Sequence, residues 1–421
     1  MLQQLPVVPG VRLHAMQTDK FKTACFSVNF RRQHNAENAA LDALLPSVLL
    51  RGTERWPDIR SISMRLDELY GATFGTLVRL KGEVKLTGFY ADFLEDAFLP
   101  EGERVFAPML EFLEQVLYHP YLENGCFPAR SVEGEKQNLM NAIESSLNDK
   151  RTYAALRLRS ILCEGEDYAV PRLGRAEDVA KITPEALFAH YRTVLEESQV
   201  EIFYAGRLAP EQVAEALRGV FAGHVPKRVT QVSTAPHPAP TQVREVSESL
   251  DVTQGKLVLG LSTGILTTDP DYPALALFNA VYGSGMTSKL FVNVREKLSL
   301  CYYASSAVDK YKGIMQISSG IEFDKYETAK TAILNELEAC RRGEITDEEL
   351  ESARRALLSA LRAALDVPAR LDDYYVGCAI AGGDSVEAFM EKIAALQKDD
   401  LVRAAQRIRL DTIYFLKGVG A

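Results

Sequence analysis

Histidine is scarce in this chain and badly spaced for catalysis. The six are His14, His34, His119, His190, His224 and His237, and no two stand four residues apart, so neither H-E-x-x-H nor H-x-x-E-H occurs. The nearest fragment, His34-Asn-Ala-Glu37, lacks its second His and reads as a surface loop or helix start. The six cysteines, Cys25, Cys126, Cys163, Cys301, Cys340 and Cys378, are scattered without a C-x-x-C pair. That spacing speaks against a disulfide framework or a zinc cluster and reads as reduced, buried thiols.

An excess of positive charge is also missing. Lys and Arg total 48 against 57 Asp and Glu, a formal net charge of −9, which removes the summed field that nucleic-acid binding requires. No window reaches ~18 consecutive apolar residues, and the opening segment Met1 to Gly10 has no basic stretch ahead of an apolar one. The expectation is a cytoplasmic protein with no membrane span and no nucleic-acid partner. The G-x-S-x-G elbow and the G-x-x-x-x-G-K-[ST] phosphate loop are absent, so no cofactor is indicated. Gly71-Ala-Thr-Phe-Gly75 and Gly283-Ser-Gly285 read as turns.

What is present is the composition of a large globular protein. The 421 residues are 47% hydrophobic and 25% charged, enough chain for two or three domains with real cores. Near the midpoint, His224-Val-Pro-Lys-Arg-Val-Thr-Gln-Val-Ser-Thr-Ala-Pro-His-Pro-Ala-Pro-Thr carries four prolines and almost no large apolar residue, which reads as an extended linker. This divides the chain into residues 1–223, a linker at 224–243 and residues 244–421.

The two halves repeat an order of elements. Each opens with an apolar strand, Thr23 to Phe30 and Lys256 to Thr263, followed by an apolar helix, Asn38 to Leu50 and Tyr272 to Val281. Each ends with a helix running into a buried strand. In the first half these are the helix from Pro184 and the strand Gln199 to Gly206; in the second, the helix from Asp400 and the strand Asp411 to Gly418. Long amphipathic segments lie between, such as Ala107 to Leu117 and Thr346 to Leu365. Strands with segregated long helices give an α+β sandwich in each half.

One peptide carries candidate chemistry: Gly283-Ser-Gly-Met-Thr-Ser-Lys-Leu-Phe-Val-Asn-Val-Arg295-Glu-Lys-Leu-Ser-Leu-Cys-Tyr302. Thr287 to Lys297 reads as a helix and Leu300 to Val308 as a strand, so Arg295 and Tyr302 straddle a helix-to-strand turn. A guanidinium and a phenol converging there could bind a peptide carbonyl and stabilise charge on it during attack. In isolation, such an Arg is more often a surface residue and such a Tyr a core residue.

With these residues in place, the chain resembles the pitrilysin/insulinase-type zinc peptidases and the mitochondrial processing peptidases, along essentially its whole length. The resemblance implies two homologous α/β sandwich halves of the LuxS/MPP-like kind. Each would be a mainly antiparallel sheet covered by helices, joined by the Pro-rich linker and closing like a clamshell around a peptide. In that family a catalytic subunit carries H-x-x-E-H on its first long helix, shortly before a Gly-Thr turn. Registered on Gly52-Thr53, the His positions are Ala43 and Ser47 and the catalytic Glu is Pro46. The family's third ligand falls on Ala142, with the upstream acid retained as Glu135. None of these replacements can hold zinc or act as a general base, and Pro46 should kink or shorten its helix.

The pattern is therefore similar to the non-zinc subunit of two-chain members. The resemblance implies that Arg295 and Tyr302 act in trans on the substrate carbonyl or oxyanion. Gly283, Ser284, Gly285 and Met286 would border the bound peptide, and a zinc-bearing H-x-x-E-H paralogue would supply Zn²⁺. The substrate would be a peptide or unfolded polypeptide added as a strand to a sheet edge. Leu66-Asp-Glu-Leu-Tyr-Gly-Ala-Thr resembles most the bacterial zinc-less member linked to the 5-aminopentanol modification of elongation factor P. A catalytically inactive peptide-binding or assembly subunit is the alternative.

Overall fold

The computed structural model describes residues 2–419. Among them, strands β1 (Leu2–Val8), β2 (Val11–Gln17), β3 (Thr23–Gln33), β4 (Thr73–Lys81), β5 (Val84–Leu94) and β6 (Gln199–Gly206) build one sheet in the order β1-β2-β6-β3-β5-β4. Strands β7 (Arg244–Leu250), β8 (Gly255–Ser262), β9 (Cys301–Asp309), β10 (Ile314–Ile321) and β11 (Arg409–Gly418) build the other in the order β7-β11-β8-β10-β9.

Each sheet holds one parallel pair, β2 with β6 and β7 with β11; the other neighbours run antiparallel. The repeat of elements seen in the sequence is thus a repeat of topology. In both sheets the last strand laid down inserts beside the first of the shared set, and β4 and β9 occupy equivalent edges. The mainly antiparallel α+β sandwich expected from the sequence is the observed fold.

The chain divides into two compact units, each discontinuous. The first takes the chain up to Glu144, Val170–Ser233 and Pro368–Ile380; the second takes Ser145–Ala169, Thr234–Val367 and the chain from Ala381 onward. The division passes through the proline-rich segment, where residues 225–241 adopt no helix or strand. Each unit also takes a helix from the other half of the sequence, because each sheet has two faces to cover. On the second sheet, Leu257, Leu259 and Ile317 face a core with Leu277 and Phe278, while Val258, Tyr414 and Leu416 pack against Ala154 and Leu158 of the Lys150–Leu162 helix. Gly260 lets that helix approach, since a Cβ there would stand 3.0 Å from a Leu162 methyl. With both faces buried, β8 reads as a nearly unbroken apolar run.

On the first sheet, the Pro368–Ala381 helix stacks Tyr375 on Phe203, with ring centroids 6.2 Å apart. It also brings the fully buried Asp372 to Arg79 and to the hydroxyl of Ser27. Burial raises the Asp372 carboxyl above its ordinary range, and Arg79 opposes the rise.

Several local expectations need correction. His34 is fully buried rather than at the surface, with its Nε2 3.0 Å from the Val170 carbonyl. Gly71 does sit in a turn with φ +69, but Gly75 lies inside β4, which starts at Thr73. Cys25, Cys163 and Cys340 are buried free thiols, each pushed up to about 12 mainly by burial. Cys126, Cys301 and Cys378 are only partly buried.

A buried lysine fastens the start of the helix that carries Ala43, Pro46 and Ser47. Lys85 Nζ donates to the carbonyls of Ala39 (2.6 Å) and Arg172 (2.7 Å). Burial lowers its ammonium to about 8, partly offset by the nearby Asp42 carboxylate. Between that value and the ordinary 10.5 the unfolded chain holds a proton that the folded chain has lost, so this group's contribution to stability rises with pH across the window. Denaturation at about pH 7.5 and about pH 9.5 should show a gain of about 2 kcal/mol in the native chain over that seen in Lys85→Met. Equal pH profiles for the two proteins would refute this.

Candidate functional site

The Ala39–Leu49 helix carries the degenerate motif positions. Pro46 lies inside it and has no N–H to give the carbonyl of Asp42, yet the helix runs on to Leu49 instead of ending. The fully buried Asp42 carboxylate accepts from His190 Nε2 at 2.8 Å and lies 3.4 Å from Arg32 Nε, which ties the helix to its surroundings. Ala43 and Pro46 are buried and Ser47 is half-buried. Ala142 is exposed on the Ala129–Asn148 helix. Of the four positions only Ser47 offers a side-chain donor atom, and a neutral hydroxyl is a poor zinc ligand. The retained acid, Glu135, is engaged by Arg51 and accepts from Asn138 at 3.2 Å. At the positions that the resemblance assigns to a zinc site, the residues present do not fit the metal.

In the second unit the Gly283 peptide folds around the edge of its sheet. The Tyr272–Tyr282 helix ends at Gly283, whose N–H and that of Ser284 both donate to the Asn279 carbonyl, at 2.9 and 2.8 Å. Ser284, Gly285 and Met286 are exposed, and Gly285 takes φ +118, which favours glycine. The turn is joined to β9: Ser306 N–H donates to the Gly283 carbonyl at 2.9 Å, and its hydroxyl donates to Asn279 Oδ1 at 2.7 Å.

Leu290–Lys297 is a π-helix, with Leu298 N–H reaching back five residues to the Asn293 carbonyl at 3.1 Å. Such wide turns are rare and recur at functional sites. This one buries Leu290 and Val294 and leaves Arg295 partly exposed, its guanidinium 4.5 Å from the Phe291 ring centroid. Arg295 Nε donates to the main-chain carbonyl of Tyr302 at 2.9 Å, and its Nη1 pairs with Glu296 at 3.0 Å. The phenol of Tyr302, 59% exposed, donates to Glu322. That bond raises the phenol above its ordinary value.

The structure thus brings Arg295 to the backbone of Tyr302 and not to its phenol. The expected helix-to-strand junction is present, but the two side chains do not converge on one point. Tyr302 is the second residue of the edge strand β9, where the pairing with β10 shifts register: Gly320 lies opposite Tyr303 and Ile321 opposite Cys301. Sequence reasoning missed Glu322, which lies twenty residues on and carries no motif, and the π geometry, which apolar periodicity does not distinguish from an ordinary helix.

A model of the peptidase M16 inactive domain matches residues 181–357. The Bacillus subtilis (strain 168) protein described as a probable inactive metalloprotease YmfF is 32% identical over 410 residues, covering 97% of this chain and 96% of that one. The chain belongs to the M16 peptidase family. A conserved protein from Enterococcus faecalis V583 superposes with a TM-score of 0.92 at 31% identity, over 100% of this chain and 99% of that one. The M16 inactive domain from Pseudomonas fluorescens shares the fold, with a TM-score of 0.81 at 19% identity over 99% and 98%. The chain is thus a homologue of proteins described as inactive M16 peptidases. Among the described residues no helix is long and apolar enough to cross a membrane.

The close approach at Gly283 gives a test of this M16 edge. A Cβ there would lie 2.4 Å from Ser306 Oγ and 2.8 Å from a Leu290 methyl. Gly283→Ala should lower stability by about 1–3 kcal/mol in urea denaturation. Combined with Ser306→Ala it should cost less than the two single changes summed. Strict additivity would show that the contact is not the cause.

Proposed function

We propose that this chain is the non-zinc subunit of a two-chain peptidase and that it presents an extended polypeptide along β9. The observation that carries this reading is the position of Tyr302, exposed at the start of an edge strand that has no strand on its outer side and is met there at Ser306 by the Gly283 carbonyl. A peptide strand laid there would pair through main-chain hydrogen bonds with little demand on sequence. The exposed Ser284, Gly285 and Met286 would flank it, with Gly283 buried behind them against Ser306 and Leu290 and Gly285 allowing close backbone approach.

In this role Arg295 fixes the Tyr302 main chain. The phenol exchanges its solvent-exposed bond to Glu322 for the scissile carbonyl at small net cost. A paralogue with intact H-x-x-E-H supplies the zinc and the general base. The pair would work in the cytoplasm, and the process tied to it by sequence resemblance is elongation factor P modification. The second reading, an inactive peptide-binding or assembly subunit, is favoured by one feature: the phenol is turned to Glu322 and not beside the guanidinium.

Co-purification with the paralogue, followed by zinc analysis and peptide hydrolysis, separates the two readings. The pair should hydrolyse peptides and the single chain should not. Tyr302→Phe in the pair should lower kcat on the order of 10²-fold, the usual loss for one oxyanion donor, and Arg295→Ala should lower it as well by releasing the Tyr302 main chain. Undiminished activity of both variant pairs would favour the assembly role. Zinc-dependent hydrolysis by this chain alone would sink the proposal.

A further inference from the structure

A second cluster of chemistry-bearing side chains lies wholly within the second unit. Cys163 closes the Lys150–Leu162 helix, its N–H donating to the Arg159 carbonyl at 3.0 Å, and Glu166 follows in the next turn, its N–H donating to the Cys163 carbonyl at 2.9 Å. His237 arrives from the proline-rich segment and Asp411 from β11. His237 Nδ1 lies 2.7 Å from Glu166 Oε1 and 4.0 Å from Cys163 Sγ. One donor atom from each of the three side chains falls within 4.8 Å of the others. On the opposite side of the ring, Nε2 lies 3.1 Å from Asp411 Oδ2. Cys163 is fully buried and His237 and Asp411 are each 5% exposed.

We infer that Cys163, Glu166 and His237 form a site for a zinc-class divalent cation, with Asp411 orienting the imidazole from behind. The donor set of one sulfur, one nitrogen and one oxygen suits a borderline-soft ion, and a water completes a tetrahedron. Bonds of about 2.0–2.3 Å require ligand separations of about 3.3–3.8 Å. The observed spacings lie to either side of that range, so the site needs small side-chain shifts to close on an ion. A carboxylate on the second ring nitrogen is the usual device for fixing a metal-binding tautomer.

The neighbouring lysine is compatible with this assignment. Lys312, fully buried, pairs with Glu166 Oε2 at 2.6 Å and donates to the Ala235 carbonyl at 2.6 Å. The two carboxylate oxygens are therefore divided, Oε2 to the ammonium and Oε1 to the site. Both ring nitrogens of His237 face carboxylates, Nδ1 that of Glu166 and Nε2 that of Asp411. An ion bound by Nδ1 and Sγ displaces the protons those atoms carry, so its binding strengthens as pH rises. The consequence is mechanical: the ion would rivet the proline-rich segment to the end of a helix 74 residues earlier.

This site is independent of the peptidase reading and is tested on the isolated full chain. After chelator treatment, titration with Zn²⁺ should show one tight equivalent. Co²⁺ in its place should give a near-ultraviolet thiolate charge-transfer band that is absent in Cys163→Ser. Glu166→Gln and His237→Gln should each weaken binding at least ~100-fold, and Asp411→Asn by ~10–100-fold, the usual loss for an outer-shell carboxylate. Where His237→Gln does not fold, the cobalt spectra of the native chain and Cys163→Ser decide. No zinc uptake, or uptake and a cobalt band that survive Cys163→Ser, would overturn the site and leave an ion-pair clasp between His237, Glu166 and Asp411.

Discussion

The insertion of the last strand of each half into the interior of its sheet is the constraint on which the rest of this protein depends. β6 lies between β2 and β3, and β11 lies between β7 and β8, each parallel to one neighbour and antiparallel to the other. A central strand that is last in sequence leaves the sheet incomplete until the whole half is present. It also decides which strands end at the edges. β4 and β9 are left with no strand on one side because the later strand went to the middle.

Covering both faces of two such sheets requires more helix than either half places on its own sheet. The Lys150–Leu162 and Pro368–Ala381 helices meet this need by crossing to the opposite unit. The two solve it with different chemistry. One buries Ala154 and Leu158 against Val258 and Tyr414, an apolar contact. The other carries Asp372 into a polar patch with Arg79 and Ser27, where orientation is strict and an unpaired partner would be costly. Cys163 and Glu166 reach the second unit only because the first of these helices crosses.

Much of the fold was legible in the chain. The segments read as strands and helices around Thr23, Gln199, Tyr272 and Thr346 match observed elements to within a few residues, because their apolar periods are strong. That Ala43, Pro46 and Ala142 carry no side-chain donor atom was legible too, since residue type alone decides it, while their register on a zinc motif rests on the family resemblance. The helix persisting through Pro46 was not, because packing around Asp42 offsets a local penalty that sequence rules take at face value. Nor was the burial of His34, which has a polar neighbourhood in sequence but a buried one in space.

The sequence by itself determined the repeat and the fold class, which follow from short-range pattern and side-chain identity. Tertiary structure alone decided that Arg295 holds the Tyr302 backbone while the phenol turns to Glu322. The choice depends on a π-helical register and on strand pairing, which are non-local. It likewise assembled Cys163, Glu166, His237 and Asp411 from a helix end, a turn, a linker and a last strand. Their separation along the chain has no periodicity to read, because only the closing of the second sheet brings them within bonding distance.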